Sequence, residues 1–475
     1  MEKEIKFEQI ENILNHVKGS FSTEQFGVFL NMYSSEIEDN YTVLFHETYH
    51  YWQSIFTPFG HLKWGINRSA SAEIINLWKI ATDMNNSKRV IPIADILPSS
   101  NVDQLNCVAQ IYVQDIAKRM VMLSERIIQD DDLQKIIPVR IEEVSPLIKV
   151  WEQEYRLNGI DILEGCAKFQ EAVFGCITEG KHFSEIIDPT RLNPEYYVAL
   201  QYFHEHIGPS RIIEFPIICE LALSSGKICR VSNDENWKSN HPAWRFVKLI
   251  ETIEQYKPEE YLFLYDDIES NFIIYAERLL GECGYESLSD TWQPLLEYAS
   301  QTELNMAKDM VEAIEFKKRY PWILSFPLKN VALLDKLKRF QPYYLITTNE
   351  SGYIFHSESL GQEIVFENHF QAVANQICGY SSLRNLDRKR IQCGYSYYGI
   401  KGCPYLIDET CDGHVDCESE LPKLVIDDED NICEGCNFIL FFKLMDIEIK
   451  DLLVTNITKR IDPNKIQENV AKLKE

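Results

Sequence analysis

The chain has 475 residues, 45% of them hydrophobic, and a formal net charge of −26. That length supports a large core spread over two or three domains, while so acidic a balance disfavours nucleic acid, whose binding needs a basic footprint. No apolar run is long enough to span a membrane, and neither GxxxxGK[ST] nor GxGxxG occurs, so nucleotide hydrolysis has no support.

The start, Met1-Glu2-Lys3-Glu4-Ile5-Lys6, is charged and lacks the apolar stretch of a secretory signal. Cysteines number 13, an odd count. Together these predict a cytoplasmic protein whose sulfurs are thiols or metal ligands, not a disulfide framework. Phe26 to Tyr33 reads as a β-strand. Tyr41 to Phe56 contains no Gly or Pro, follows Asp39-Asn40 as N-caps and stops before Pro58 and Gly60, which predicts a helix. Phe45, Tyr49, Trp52 and Phe56 recur at i, i+4, i+7 and i+11 and form its buried stripe.

Beside that stripe stands His46-Glu47-Thr48-Tyr49-His50. Residues four apart on a helix lie one above the other, so His46 and His50 can reach one metal ion from the same face. Zinc accepts two imidazoles, and Glu47, one step round, is placed to take a proton from a water. The competing arrangement is a pair of core histidines bonded to backbone, with Glu47 solvated. A catalytic zinc takes three protein ligands. Position 56 is Phe, so the HExxHxxGxxH spacing is absent, and His61 falls beyond Pro58-Phe59-Gly60, outside the helix.

Helical patterns continue over Ser69 to Met84 and Val102 to Gln129, with a break near Pro92 to Ser100. Glu164 then stands in an apolar run beside Ile162, Leu163, Cys166 and Ala167. A buried carboxylate is costly unless paired or bound to a metal. Gly165 and Ala167 remove bulk, so another helix can approach, and Glu164 is the expected third ligand. Glu171, seven residues on and on the same face, is placed to accept the free N–H of a ligating histidine. The alternative leaves Glu164 at a surface seam and Glu171 paired with Lys168. After a break at Asp188 to Pro194 comes a Tyr- and His-rich stretch, Tyr196 to His206. In it Tyr197 or His204 suits the donor that stabilises an oxyanion, unless the stretch is simply core.

HExxH followed far downstream by Leu163-Glu164-Gly165-x-Ala167 resembles the gluzincin metallopeptidases of the peptidase-MA type. The resemblance covers two helices, within residues 20 to 180. It implies a zincin-like fold with His46, His50 and Glu164 as zinc ligands and Glu47 as general base. It also implies that the strand before the HExxH helix is an edge strand lining the cleft, able to pair with an extended peptide. The position four after Glu164 is Lys168, where the thermolysin-like pattern has Asp, so the group orienting the histidines departs from that pattern.

Further breaks fall at Ser232 to Pro242 and Tyr256 to Glu260, with a helical pattern over Tyr261 to Leu280. From about Phe340 the texture changes. Tyr343 to Thr348 and Tyr353 to His356 read as strands of a hairpin around Asn349-Glu350-Ser351-Gly352, and Glu363 to Cys378 as a helix. Six cysteines fall between Cys393 and Cys436. Cys433 and Cys436 form a CxxC knuckle, and Cys403 and Cys411 are the first choice to complete a structural zinc site, with Cys417 or His414 as alternates. An iron–sulfur cluster fits by ligand type, and unliganded thiols are the third reading. Asp427-Asp428-Glu429-Asp430 makes this region unlike a nucleic-acid finger. The run suits a basic protein partner or stands as a solvated loop.

The expected fold is mainly α (α+β). Residues 1–340 form a zincin-like metallopeptidase region with a small β-sheet, and residues 341–475 a small α+β region containing the Cys-rich segment 393–436. The expected function is a zinc-dependent peptidase acting on a peptide or protein substrate. The alternative is a non-catalytic zinc-containing protein that regulates or binds a protein partner and keeps the HExxH site as structure. Neither reading involves nucleic acid or a membrane.

Overall fold

The computed structural model describes residues 19–22, 27–31, 40–61, 63–64, 90–92, 145–189, 192–225, 238–255, 263, 267–300, 305–329, 336–337, 339–340, 342–347, 352–355, 389–390 and 453–455. Its strands are β1 (Gly19–Ser22), β2 (Gly27–Asn31), β3 (Val90–Pro92), β4 (Leu147–Val150), β5 (Gln153–Arg156), β6 (Tyr343–Thr347), β7 (Gly352–Phe355), β8 (Lys389–Arg390) and β9 (Leu453–Thr455). Its helices are α1 (Asn40–Phe56), α2 (Gly159–Thr178), α3 (Phe183–Ile186), α4 (Val198–Ile207), α5 (Phe215–Ala222), α6 (Pro242–Gln255), α7 (Ile268–Glu282), α8 (Leu288–Ser300) and α9 (Asn305–Arg319). The described part is thus mostly helical, and among its residues no helix is long and apolar enough to cross a membrane. The chain divides into two compact units, residues 1–64 with 118–346 and residues 65–117 with 347–475.

Helix α1 is the centre of the first unit. Every residue from Phe45 to Phe56 is buried, including the stripe of Phe45, Tyr49, Trp52 and Phe56. The polar atoms of its large aromatics are satisfied, as burial requires. Tyr49 Oη donates to the Leu324 carbonyl at 2.9 Å and Trp52 Nε1 to the Phe340 carbonyl at 2.9 Å. Full burial of side chains this size stabilises by roughly 1.5–3 kcal/mol each.

Helix α2 lies antiparallel along α1, as the contact order shows. Going up α1, Thr42 meets Gly175, Phe45 stacks on Phe174 with centroids 4.5 Å apart, Gln53 bonds the Leu163 carbonyl, and Phe59 beyond the helix meets Gly159. The helix starts where Asp161 reaches back to accept the Asn158 amide at 2.6 Å, the carboxylate half of a capping box. Gly165 permits close approach: a Cβ there would lie 3.4 Å from Ala199 Cβ and 3.9 Å from the Glu195 carbonyl oxygen. The 3₁₀ turn 194–196 and the start of α4 therefore rest against the turn of α2 that carries Glu164.

Around this pair, α5 is buried throughout. Its last carbonyls are capped by the buried Arg245 of α6, whose guanidinium donates to Leu221, Ala222 and Ser224 and lies 4.0 Å from the centre of the Tyr285 ring. Helix α7 begins at Ile268, later than its sequence pattern predicts, because Asp267 accepts the Ser270 amide and fixes the N-cap.

The strand expected over 26–33 forms as β2, with Val28 and Leu30 buried. It is not an edge strand. The sheet order runs β1-β2-β6, so one side of β2 pairs antiparallel with β1, Gly19 opposite Leu30, and the other side with β6. Pairing order is a non-local property, and the Gly19–Ser22 strand that covers this edge carries too weak a pattern to be read from sequence. Strands β4 and β5 form a separate hairpin. In the second unit β3 pairs parallel and β8 antiparallel with β9. Strands β6 and β7 form where the sequence predicts strands; residues 348–351 between them lie outside the described residues. So do the helical patterns at 69–84, 102–129 and 363–378.

Candidate metal centre

The antiparallel packing brings two distant sequence motifs to one point. His46 Nε2 and His50 Nε2 each lie 3.1 Å from Glu164 Oε2, and 3.1 Å from each other. Among the described residues this is the group of three or more His, Cys, Asp or Glu side chains placed to hold a metal ion. A tetrahedral zinc with bonds of about 2.0–2.1 Å separates its ligand atoms by about 3.3–3.4 Å. The triangle is therefore close to the size such an ion imposes.

The far nitrogens of both rings face acceptors. His50 Nδ1 is 2.7 Å from Gln53 Oε1, and Gln53 Nε2 donates to the Leu163 carbonyl at 3.1 Å. His46 Nδ1 is 3.0 Å from Glu171 Oε2, a hydrogen-bond length although the direction departs from a well-aligned bond. With the Nδ1 protons turned outward, two nitrogen lone pairs and a carboxylate oxygen converge with no proton between them. Such a cluster repels itself unless a cation occupies the centre, either a metal ion or an added proton.

The electrostatics express the same demand. Burial opposes charge on His46, but Glu164, Glu171 and Glu47 outweigh it and raise its pKa to about 10. Burial likewise pushes Glu164 up, yet His50 and His46 hold its carboxyl well below the usual carboxylate range. Glu171 is also held low, by His46 and Lys168 against the effect of burial. Lys168 Nζ donates to Glu171 Oε1 at 2.7 Å, so Glu171 both pairs with Lys168 and faces His46. A metal cation entering the triangle displaces the proton that His46 carries.

Glu47 is buried, and burial raises its pKa, with His46 and His50 acting the other way. It is not one of the three converging donors, which leaves its carboxylate beside the site and uncommitted to the metal position. Tyr196 is the tyrosine beside His46. Its ring lies 6.0 Å from that of His46, and burial together with Glu164 and Glu195 keeps it protonated well above its ordinary pKa.

The two donors singled out in the sequence have surroundings of their own. The Tyr197 ring lies tilted by 31° against that of Trp151, centroids 5.4 Å apart, and His204 is exposed on the last turn of α4. Residues 194–196 are a 3₁₀ turn leading into α4, so neighbouring tyrosines point in directions no single helical period predicts. His61 bonds the Ile55 carbonyl at 2.7 Å and stays apart from the triad, its pKa lowered to about 4 by burial. Cys403, Cys411, Cys417, Cys433, Cys436 and His414 lie outside the described residues.

Gln53 escapes a search for metal ligands because an amide is a poor one. Its signal is positional: a polar side chain three residues from His50, hence on the same face, inside an apolar helix. It fixes the His50 ring while tying α1 to α2 one residue before Glu164. Replacing Gln53 by Met, similar in size and unable to hydrogen-bond there, is expected to lower affinity for a divalent metal by roughly 10–100-fold. Competition against a chelating dye reads this directly; unchanged affinity would remove Gln53 from the site.

No family model, curated protein or solved structure matches the chain.

Proposed function

We propose that the chain is a zinc-dependent peptidase of zincin-like fold, with His46, His50 and Glu164 as metal ligands and Glu47 as the general base. The observation that carries this reading is the convergence of two imidazole nitrogens and one carboxylate oxygen, 3.1 Å apart, with the non-converging carboxylate of Glu47 beside them. Two imidazoles and a carboxylate are a donor set of catalytic zinc, which leaves one position open. A purely structural site closes all four positions and has no use for Glu47.

Bound zinc supplies Lewis acidity, lowering the pKa of water toward neutrality and polarising a carbonyl. The residues do the rest. Glu47 accepts the proton of the attacking water and returns it to the leaving amine. Tyr196, held protonated, donates a hydrogen bond to the developing oxyanion. Gln53 and Glu171 keep both histidines oriented with Nε2 inward. An extended peptide would pair with the outer strand β1, since both sides of β2 are taken.

The reading is tested on protein stripped with a chelator and reloaded with zinc. Cleavage of a mixed peptide library, followed by mass spectrometry, is expected only after reloading, with about one zinc bound per triad. Zinc-loaded protein that leaves every peptide intact would sink the peptidase assignment.

A further inference from the structure

The β4–β5 hairpin turns in two residues, Trp151 and Glu152, with Val150 paired to Gln153. Both turn residues lie at positive φ, 48° and 65°, a geometry that Asn-Gly fills without strain. A tryptophan and a glutamate are held there against steric preference, and residues so placed gather at ligand-binding positions. The Trp151 backbone N–H donates to Glu205 Oε1 at 3.2 Å, and its ring packs on Tyr197. Even so, Trp151 remains 46% exposed, leaving much of a large aromatic surface open to solvent.

This aromatic pair is linked to the metal triad through the backbone of the 194–196 turn. Tyr197 directly follows Tyr196, the tyrosine beside His46, and the turn that carries both rests against Gly165, next to Glu164. Glu205 accepts the Trp151 amide, and the hairpin itself carries Glu152 in the turn and Glu154 on β5. The hairpin's basic groups are engaged, Lys149 with Glu152 at 3.2 Å and Arg156 with the Ser145 carbonyl at 3.0 Å. An exposed aromatic face with a carboxylate at its backbone attracts a cation by quadrupole and by charge.

We propose that Trp151 and Tyr197 form a subsite that holds a cationic side chain, lysine or arginine, of the peptide substrate. The proposal rests on the peptidase reading and names the substrate class of that same site. The turn keeps a strained tryptophan because a relaxed Asn-Gly turn would offer no ring.

The test compares peptides that differ only in lysine against uncharged norleucine. Lysine peptides are expected to show the lower KM. Trp151→Ala should raise that KM by about 2–30-fold, the range of a cation–aromatic contact, and raise the KM of the norleucine peptide by less. Trp151→Asn combined with Glu152→Gly should remove the preference while keeping the hairpin and raising the melting midpoint, which separates lost recognition from lost folding. Equal KM for the two peptides in the parent protein overturns the subsite and leaves the peptidase reading standing.

Binding of labelled lysine and norleucine peptides to Glu47→Gln protein, read by fluorescence anisotropy, is independent of cleavage. A lysine preference there that vanishes in the Trp151 variants supports the subsite even if no peptide is ever hydrolysed. Equal binding of the two peptides overturns it.

Discussion

Glu47→Gln is expected to keep its zinc and lose peptide cleavage, with kcat/KM falling by about 10²–10⁴-fold. The amide matches the carboxylate in size, which matters at a position only 8% exposed, but it accepts no proton at neutral pH. Because Glu47 is not one of the three converging donors, metal content should not change. The loss should fall on kcat more than KM, since the interaction removed is made in the transition state. Metal analysis beside steady-state kinetics measures both. A variant that keeps zinc and still cleaves at the parental rate would show that Glu47 is not the base.

The largest expected effect on stability lies beneath the site. Lys317 of α9 is 1% exposed and its ammonium pairs with Glu220 of α5, itself 2% exposed. Glu220 also accepts Ser325 Oγ at 2.6 Å, and Lys317 donates to the Pro321 carbonyl. The same segment supplies the Leu324 carbonyl to Tyr49 and the Ser325 carbonyl to Gln170. It thus fastens both helices that carry the triad to α5 and α9. Glu220→Leu strands a buried ammonium and is expected to cost about 3–5 kcal/mol.

Adding Lys317→Met to that variant should recover much of the loss, because two apolar side chains leave no orphaned charge. The pH dependence has a definite sign. Burial already lowers the Lys317 pKa, with Glu220 acting against it; without Glu220 it falls further, while the unfolded chain keeps the ordinary value. The unfolded state then binds the proton that the folded state sheds, so the deficit should shrink as pH rises above neutrality. Denaturant unfolding at several pH values checks this. A deficit constant with pH would mean that Lys317 stays charged or finds water.

The parts of the site legible in the sequence are those written in local pattern. HExxH on an uninterrupted aromatic stripe specifies both the helix and the face that carries its histidines. Glu164 stands out because an acid inside an apolar run needs a partner, and small neighbours mark where a second helix approaches. Glu171 is readable from spacing alone, and both of its expected contacts, His46 and Lys168, are present. What local pattern does not carry is direction at irregular turns and identity at long range. Tyr196 and Tyr197 differ by one residue in a 3₁₀ turn, and only the fold decides which lies beside His46. The interior place of β2 depends on β6, more than three hundred residues away. Buried Arg245 and Lys317 look like surface cations until their carbonyl and carboxylate partners are placed around them.

The chain leaves the first unit after Trp64 and re-enters it at Lys118, so residues 65–117, one part of the second unit, lie in sequence between the two halves of the triad. Closing a loop costs entropy only logarithmically in its length, and the excursion therefore weighs little on the final equilibrium. It weighs on the order of events. His50 and His46 meet Glu164 across 114 and 118 residues, contacts of the kind that slow folding. On a growing chain α1 is complete long before its partner exists. During that interval its aromatic stripe and its row of His46, Glu47 and His50 have nothing from α2 to cover them.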